Sequence, residues 1–273
     1  MTTVGLRGVG FAYPDGTRAI ERVDLTVGPG SRVAIVGQNG SGKSTLVRLL
    51  NGLLRPTEGT VVHDGRDIAG ERVATLAARV GIVFQNPDRQ IFAGKVRDEV
   101  AFGPRILGRS AGQVTAAVAA ALGAVGLAAE AEKNPYDLGY SRRKLLALAS
   151  VLAMETPVIV LDEPTTGQDA RGIGRVQRVV ADVAAAGRTV IAVSHDMRFV
   201  AESFERVVVM GTGRILLDDA TEAVFAEPNW PTLASTYLEP PLAARIGARL
   251  GLGSTPTEVG LIERVAGGLS APG

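Results

Sequence analysis

The chain has 273 residues, 46% of them hydrophobic and 21% charged, a balance that suits a globular protein with a full core and excludes a disordered one. Its 29 Lys and Arg nearly match its 28 Asp and Glu, so no basic excess marks it for nucleic acid, which is not expected as a partner. Cysteine is absent, which removes a disulfide framework, a thiol nucleophile and a cysteine zinc site.

The first residues, Met-Thr-Thr-Val-Gly-Leu-Arg, hold no signal-peptide apolar region. No run of about 18 apolar residues is free of polar breaks. Val114–Ala129 is mostly alanine, and Leu145–Leu161 is interrupted by Ser150, Glu155 and Pro157. A cytosolic chain is expected, one compatible with docking on a membrane protein.

In chain order, residues 4–35 read as β-structure. Val23–Val27 alternates, Gly28-Pro-Gly30 turns, and Arg32–Val36 is a β-branched run. Val61–Arg66 carries an Asp-Gly hairpin turn, and residues 80–84 form a short apolar strand. From about 95 to 155 the pattern is helical, with breaks expected at Gly103-Pro104, Gly108 and Asn134-Pro135. Then β/α alternation returns. Val158–Leu161 is a continuous apolar strand of the kind buried on both faces, and Ile173–Ala186 is an amphipathic helix ended by Gly187. Thr189–Val193, Arg206–Met210 and Arg214–Leu217 are further strands. Pro228, Pro231, Pro240 and Pro241 mark a linker, followed by a short amphipathic tail. The expected division is therefore a domain over residues 1–227 and a linker with an appendage over 228–273. The last residues, Gly267–Gly273, are expected to fray.

Two stretches carry chemistry. Gly37-Gln38-Asn39-Gly40-Ser41-Gly42-Lys43-Ser44 fits the phosphate loop G-x-x-x-x-G-K-[ST], between a strand and a helix as that motif requires. Glycines let successive N–H groups converge on one point, and the following helix turns its positive end toward it. Lys43 is expected to reach the outer phosphates and Ser44 to ligate Mg²⁺. The second stretch is Val158-Ile-Val-Leu-Asp162-Glu163. A buried strand ending in Asp162 places a carboxylate beside the loop to hold Mg²⁺, and Glu163 suits a base for in-line attack on the γ-phosphate.

Together these motifs resemble the ATP-binding subunit of an ABC transporter, over about residues 3–225. The resemblance implies an α/β fold: a P-loop NTPase of ABC type, with a mixed sheet core, an antiparallel β layer and a helical subdomain. It implies ATP and Mg²⁺ as cofactors, ATP hydrolysis as the activity, and a nucleotide site that includes Gln38–Thr45 and Asp162. Tyr13 matches the family's adenine-stacking aromatic. Gln85 matches the glutamine that links Mg²⁺ and the attacking water to the transport partner. Glu163 and His195 match the catalytic glutamate and the histidine at the γ-phosphate, and Asp169 matches the loop that crosses to a second subunit. Core, capping and structural roles for Tyr13, Gln85, Asp169 and His195 are the alternatives. His63 is given no function.

One motif departs from the pattern. Where the family has Leu-Ser-Gly-Gly-Gln, opening a helix that touches ATP bound on the partner subunit, this chain has Leu138-Gly139-Tyr140-Ser141-Arg142, followed by Arg143 and Lys144. A side chain at 140 limits backbone approach to a phosphate, and three cations at a helix start oppose its dipole unless an anion arrives. Impaired turnover and a working variant in which Ser141 and the helix N–H groups still bind phosphate both stay open.

Within the family, Val83–Phe92 with Val100-Ala-Phe-Gly-Pro104, together with the Glu239-Pro-Pro-Leu tail, is similar to ATPases of energy-coupling-factor importers, which take up vitamins and cobalt or nickel ions. That likeness implies a second ATPase subunit, equal or unequal, a membrane coupling protein, a separate substrate-binding membrane subunit, and a place on the cytoplasmic face of the membrane. Asn86–Pro104, with Ile91 and Phe92 expected at the surface, is the segment expected to dock the coupling protein. Another importer or exporter class is the nearest alternative. A soluble repair or translation ATPase is disfavoured: there is no coiled-coil insertion and no zinc cysteine, and the length holds one cassette.

Overall fold

The computed structural model describes residues 2–269. The chain opens with an antiparallel hairpin of β1 (Val4–Ala12) and β2 (Arg18–Val27), then turns through Gly28–Gly30 into β3 (Arg32–Gly37) and the helix α1 (Lys43–Leu50). β4 (Glu58–His63) and β5 (Arg66–Asp67) meet across Asp64-Gly65, both at positive φ (50° and 77°), as an Asp-Gly hairpin turn requires. α2 (Val73–Ala77) and β6 (Val80–Val83) lead to the helical segment α3 (Val96–Ile106), α4 (Ala111–Val125) and α5 (Tyr140–Leu152). β7 (Val158–Asp162), α6 (Ala170–Ala185), β8 (Thr189–Val193), α7 (Met197–Ser203), β9 (Arg206–Gly211) and β10 (Arg214–Ala220) restore the alternation. Short helices α8 (Thr221–Val224), α9 (Trp230–Ser235) and α10 (Leu242–Arg249) precede α11 (Glu258–Leu269).

The strands form two sheets. A four-stranded antiparallel sheet runs β2-β1-β4-β5, and a six-stranded mixed sheet runs β10-β9-β3-β8-β7-β6, parallel throughout except for β10. The parallel strands bury both faces. Along β3, Val33 and Ile35 enter one core while Ala34 and Val36 enter the other; β7, β8 and β9 alternate in the same way. One core lies between the two sheets and includes α1; the other lies under α3–α7. The phosphate-loop motif therefore leaves the end of a strand gripped from both sides.

Three expectations need correction. α3 runs through Gly103-Pro104 without a break. Gly103 lets α3 lie against α5's end (a Cβ there would stand 2.5 Å from Met154 Cγ), and this packing holds the helix through the proline. α6 starts at Ala170, ahead of Ile173, because the Asp169 side chain accepts from Gly172 N at 2.7 Å and caps it. The stretch from Pro228 is not an open linker. Pro228 and Pro231 sit in the first turns of short helices, where a proline's missing N–H costs nothing, and Leu233 and Leu238 join the main core with Trp230 against them. Of the residues expected to fray, Gly267–Leu269 end α11 and Ser270–Gly273 lie outside the described residues.

Candidate nucleotide site

Between β3 and α1 the chain needs φ values that only glycine accepts. Gly37, Gly40 and Gly42 have φ of 149°, 82° and 99°. A Cβ at Gly37 would stand 2.2 Å from the Met210 carbonyl oxygen, and one at Gly42 2.4 Å from that of Ala19, so the loop is pressed onto β9 and β2. Lys43 is 7% exposed and folds back across the loop, its Nζ donating to the carbonyls of Gly37 (2.7 Å) and Gln38 (2.8 Å). Burial pulls its pKa down from the usual lysine range, against the opposing pull of Glu163 and Asp162.

A cavity of about 330 Å³ opens over this loop, lined by Tyr13, Arg18, Asn39, Gly40, Gly42, Lys43, Ser44, Thr45, Gln85 and Glu163. Ser41 lies beneath, fully buried, its carbonyl accepting from Gly213 N. Tyr13 packs edge-on against Phe11, ring centroids 4.9 Å apart, and its hydroxyl pairs with Thr45 Oγ1 at 2.8 Å. Its ring thus stands in the cavity wall, anchored at both ends.

The acids at the end of β7 arrive from the other side. The Ser44 hydroxyl donates to Asp162 Oδ1 at 3.4 Å, and burial raises the Asp162 pKa, with Ser44, Arg48 and Lys43 pulling it back. A carboxylate desolvated in this way favours a cation. Asp162 lines a second cavity, of about 650 Å³, with Arg48, Phe84, Gln85, Asn86, Arg89 and Tyr140. Gln85 faces both cavities. Ser44, Asp162 and Gln85 supply hard oxygen donors that fit Mg²⁺, and they leave most of its shell to phosphate and water, the usual arrangement for that ion. Among the described residues no cluster of three or more His, Cys, Asp or Glu is poised to hold a metal by itself.

Glu163 is 8% exposed and sits at φ 52°, a left-handed conformation that costs a non-glycine residue about 1–3 kcal/mol and persists only where its surroundings hold it. Its amide donates to Val193 O at 2.9 Å. Its Oε2 lies 2.7 Å from Nδ1 of His195, and Thr166 Oγ1 stands 3.5 Å from the same oxygen. His195 follows β8, is largely exposed, and meets the cavity through its contact with Glu163.

At the start of α5 the altered residues make their contacts within this chain, on the segment that follows β7. Gly139 is its N-cap residue with no side-chain cap, Leu138 is buried, and Asp169 is engaged as the cap of α6. Ser141 Oγ donates to Gln168 Oε1 (2.7 Å) while Gln168 Nε2 donates back to Ser141 O (3.0 Å). The Tyr140 ring lies on Gly167, where a Cβ would come within 2.8 Å of it. The three cations do not wait for an outside anion: Arg142 pairs with Glu130 at 2.6 Å, Arg143 with Asp88 at 3.0 Å, and Lys144 is buried on the carbonyls of Glu163 and Thr166.

The docking segment also differs from expectation. Ile91 is buried; Phe92 is 60% exposed and stacks edge-on against Phe102 at 4.7 Å. Three residues given no role from the sequence act as backbone ties, two of them here and one in the segment after β7. Buried Glu99 accepts from the amides of Phe92 (3.0 Å) and Ala93 (2.8 Å), and Gln90 links Phe84 N (3.2 Å) to Ala147 O (2.9 Å). The third is Lys144. The signals were faint: a single Glu, Gln or Lys beside an apolar run, each bonded to backbone, which leaves no motif.

The family model described as ABC transporter matches residues 20–166, over half the chain. The chain belongs to the ABC transporter family. It carries an ABC-type ATPase domain, the ATP-hydrolysing module of such transporters, and its two sheets with their helical segment are the fold expected of one. An energy-coupling factor transporter ATP-binding protein of Methanothermobacter thermautotrophicus is 37% identical over 260 residues, 94% of this chain and 83% of that one. A putative ABC transporter ATP-binding protein of Methanosarcina acetivorans is 41% identical over 240 residues, which are 88% of this chain but only 39% of that longer relative. Among solved structures, cbiO1 of Clostridium perfringens, described as part of the ABC transporter complex cbiONQ, superposes with a TM-score of 0.76 at 31% identity, covering 91% of this chain and 98% of that one. Among the described residues of this ABC ATPase, no helix is long and apolar enough to cross a membrane.

Proposed function

We propose that this ABC ATPase is the energy-supplying subunit of a membrane importer of the energy-coupling-factor type, which moves a small micronutrient such as a vitamin or a transition-metal ion. The observation that carries the hydrolytic part is the convergence at one cavity of Lys43, Ser44 and Glu163, with Glu163 bonded to His195. In this reading ATP lies with its base against Tyr13 and its phosphates on the amides of Gln38–Thr45. Lys43 leaves the loop carbonyls for the outer phosphates. Mg²⁺, when bound, neutralises phosphate charge and is held by Ser44, Asp162 and Gln85. Glu163 takes the proton of the attacking water, and His195 orients that carboxylate and reaches the γ-phosphate.

The importer branch is supported by likeness to an energy-coupling-factor ATPase along nearly the whole chain and to part of a cbiONQ complex. The proposed partners are a second ATPase subunit, a coupling protein in the membrane and a substrate-binding membrane subunit, which places this chain peripherally on the cytoplasmic face. Phe92 and Phe102 form the exposed lip of an apolar groove of about 280 Å³ that also takes in Leu53, Val73, Phe84 and Met154, a fit for a short apolar helix of the coupling protein. Gln90 ties this lip to the Gln85 segment through Phe84. The test is to purify the complex from membranes, identify its subunits and compare Glu163→Gln with the parent. The expected result is a co-purifying multispanning protein, ATP binding retained, and turnover lowered by about 10²-fold or more. Turnover at the parent rate removes Glu163 from the catalytic role; the absence of any membrane subunit removes the importer.

A further inference from the structure

Lys144 is the one cation at the start of α5 that no acid takes up. It is 4% exposed, and its ammonium donates to the backbone carbonyls of Glu163 and of Thr166, the latter at 2.9 Å. Burial lowers its pKa to about 8, against the pull of Glu163 and Asp162. A buried ammonium is costly, and here two of its three donors are spent on main-chain oxygens of one short segment. That segment carries Glu163, the residue bent to φ 52°. Its amide is pinned to β8 through Val193, and its carbonyl is pinned to α5 through Lys144, so both peptide groups around the bend are held. Tyr140 and Ser141, one turn before Lys144 on the same side of the helix, brace Gly167 and Gln168 of the same segment.

We propose that Lys144 is a positioning residue for Glu163. By holding the Glu163 and Thr166 carbonyls it fixes the bent backbone that aims the Glu163 carboxylate at His195 and the phosphate cavity. The proposal rests on the reading of Glu163 as the hydrolytic base. It also gives the altered α5 start a task within its own subunit: the helix that the family turns outward to a partner's nucleotide is tied here to this chain's own catalytic segment.

The chain has only two histidines, so ring NMR at fixed pH reads the two places separately. His195 touches Glu163, while His63 is buried on the Leu50 carbonyl and reports the fold. In Lys144→Met the His195 signal is expected to move as the Glu163 contact loosens, with His63 unmoved, and Lys144→Arg should restore it. In the complex purified from membranes, Lys144→Met should lower kcat by about tenfold or more with nucleotide affinity within about twofold. Added to Glu163→Gln it should lower the rate no further. A stationary His195 signal, or losses that multiply in the double variant, overturns the proposal. If Lys144→Met also displaces the His63 signal, Lys144→Gln is read by the same criteria. A Glu163→Gln variant as fast as the parent would sink the functional reading, and a moving His195 signal would still uphold the positioning.

Discussion

Two helix starts in this molecule were built from the same local physics and put to opposite ends. At α1 the preceding glycines sit at φ values no other residue accepts, no side chain caps the helix, and the loop lines the cavity. At α5 Gly139 sits at φ −62°, an ordinary conformation, and the turn that follows is occupied by Tyr140, Ser141 and Lys144, all engaged with residues 163–168. One start is built of glycines that line a cavity, and the other carries side chains committed to its own chain. A helix N-terminus becomes an anion site only when its neighbours leave it unspent.

The contrast breaks most sharply at the glycines. Gly42→Ala places a methyl against the Ala19 carbonyl in a left-handed conformation, and it should cost on the order of 2 kcal/mol or more of stability together with ATP binding. Gly139→Ala meets no atom within 4 Å and should leave both within about 0.5 kcal/mol, as read by thermal melting and calorimetric titration. Equal losses at the two positions would erase the distinction. Next comes Lys43→Ala, which removes a charged donor to phosphate. Affinity for ATP should fall by about 10–100-fold, the worth of one charge-assisted hydrogen bond.

The quadruple change Gly139→Ser, Tyr140→Gly, Ser141→Gly and Arg142→Gln reopens the second cradle. If a filled start limits turnover in a head-to-tail pair of identical chains, the isolated subunit should speed up by about tenfold or more. An isolated subunit that is already fast and gains nothing would mean that the altered start serves a phosphate, and would argue against an unequal pair with one strong and one weak site.

The smallest effect sits at the far end of α1. His63 Nε2 donates to the carbonyl of Leu50, the last residue of that helix, at 2.8 Å, and burial holds its pKa below the usual 6.5. The folded state thus prefers neutral His63. Its contribution is complete above about pH 6.5 and is lost as pH falls through the lower folded value. Melting temperature should drop on going from pH 7 to pH 5, and His63→Gln should drop less.

The α1 cradle was legible because everything it needs is consecutive: a strand, three glycines, Lys43 and Ser44. The acids were legible for the same reason, as a buried strand that ends in two carboxylates. The filling of α5 was not. Lys144 reaches Glu163 across 19 positions, Ser141 reaches Gln168 across 27, and Arg143 finds Asp88 on a different segment. The chain order could give the three cations their helical face but not their partners. Pro104 shows the same blindness in reverse: a strong local stop signal yielded to the packing of Gly103 on Met154.

The parallel sheet has a thermodynamic corollary. Because β3, β7, β8 and β9 send alternate residues into two cores, each core is one face of a shared wall. Neither can melt without stripping the other's backing, so the antiparallel layer and the helical segment, distinct to the eye, should unfold as one cooperative unit. Since β3 ends in the phosphate loop, a nucleotide bound at a single point should lift the whole transition to higher temperature and not sharpen one half of it.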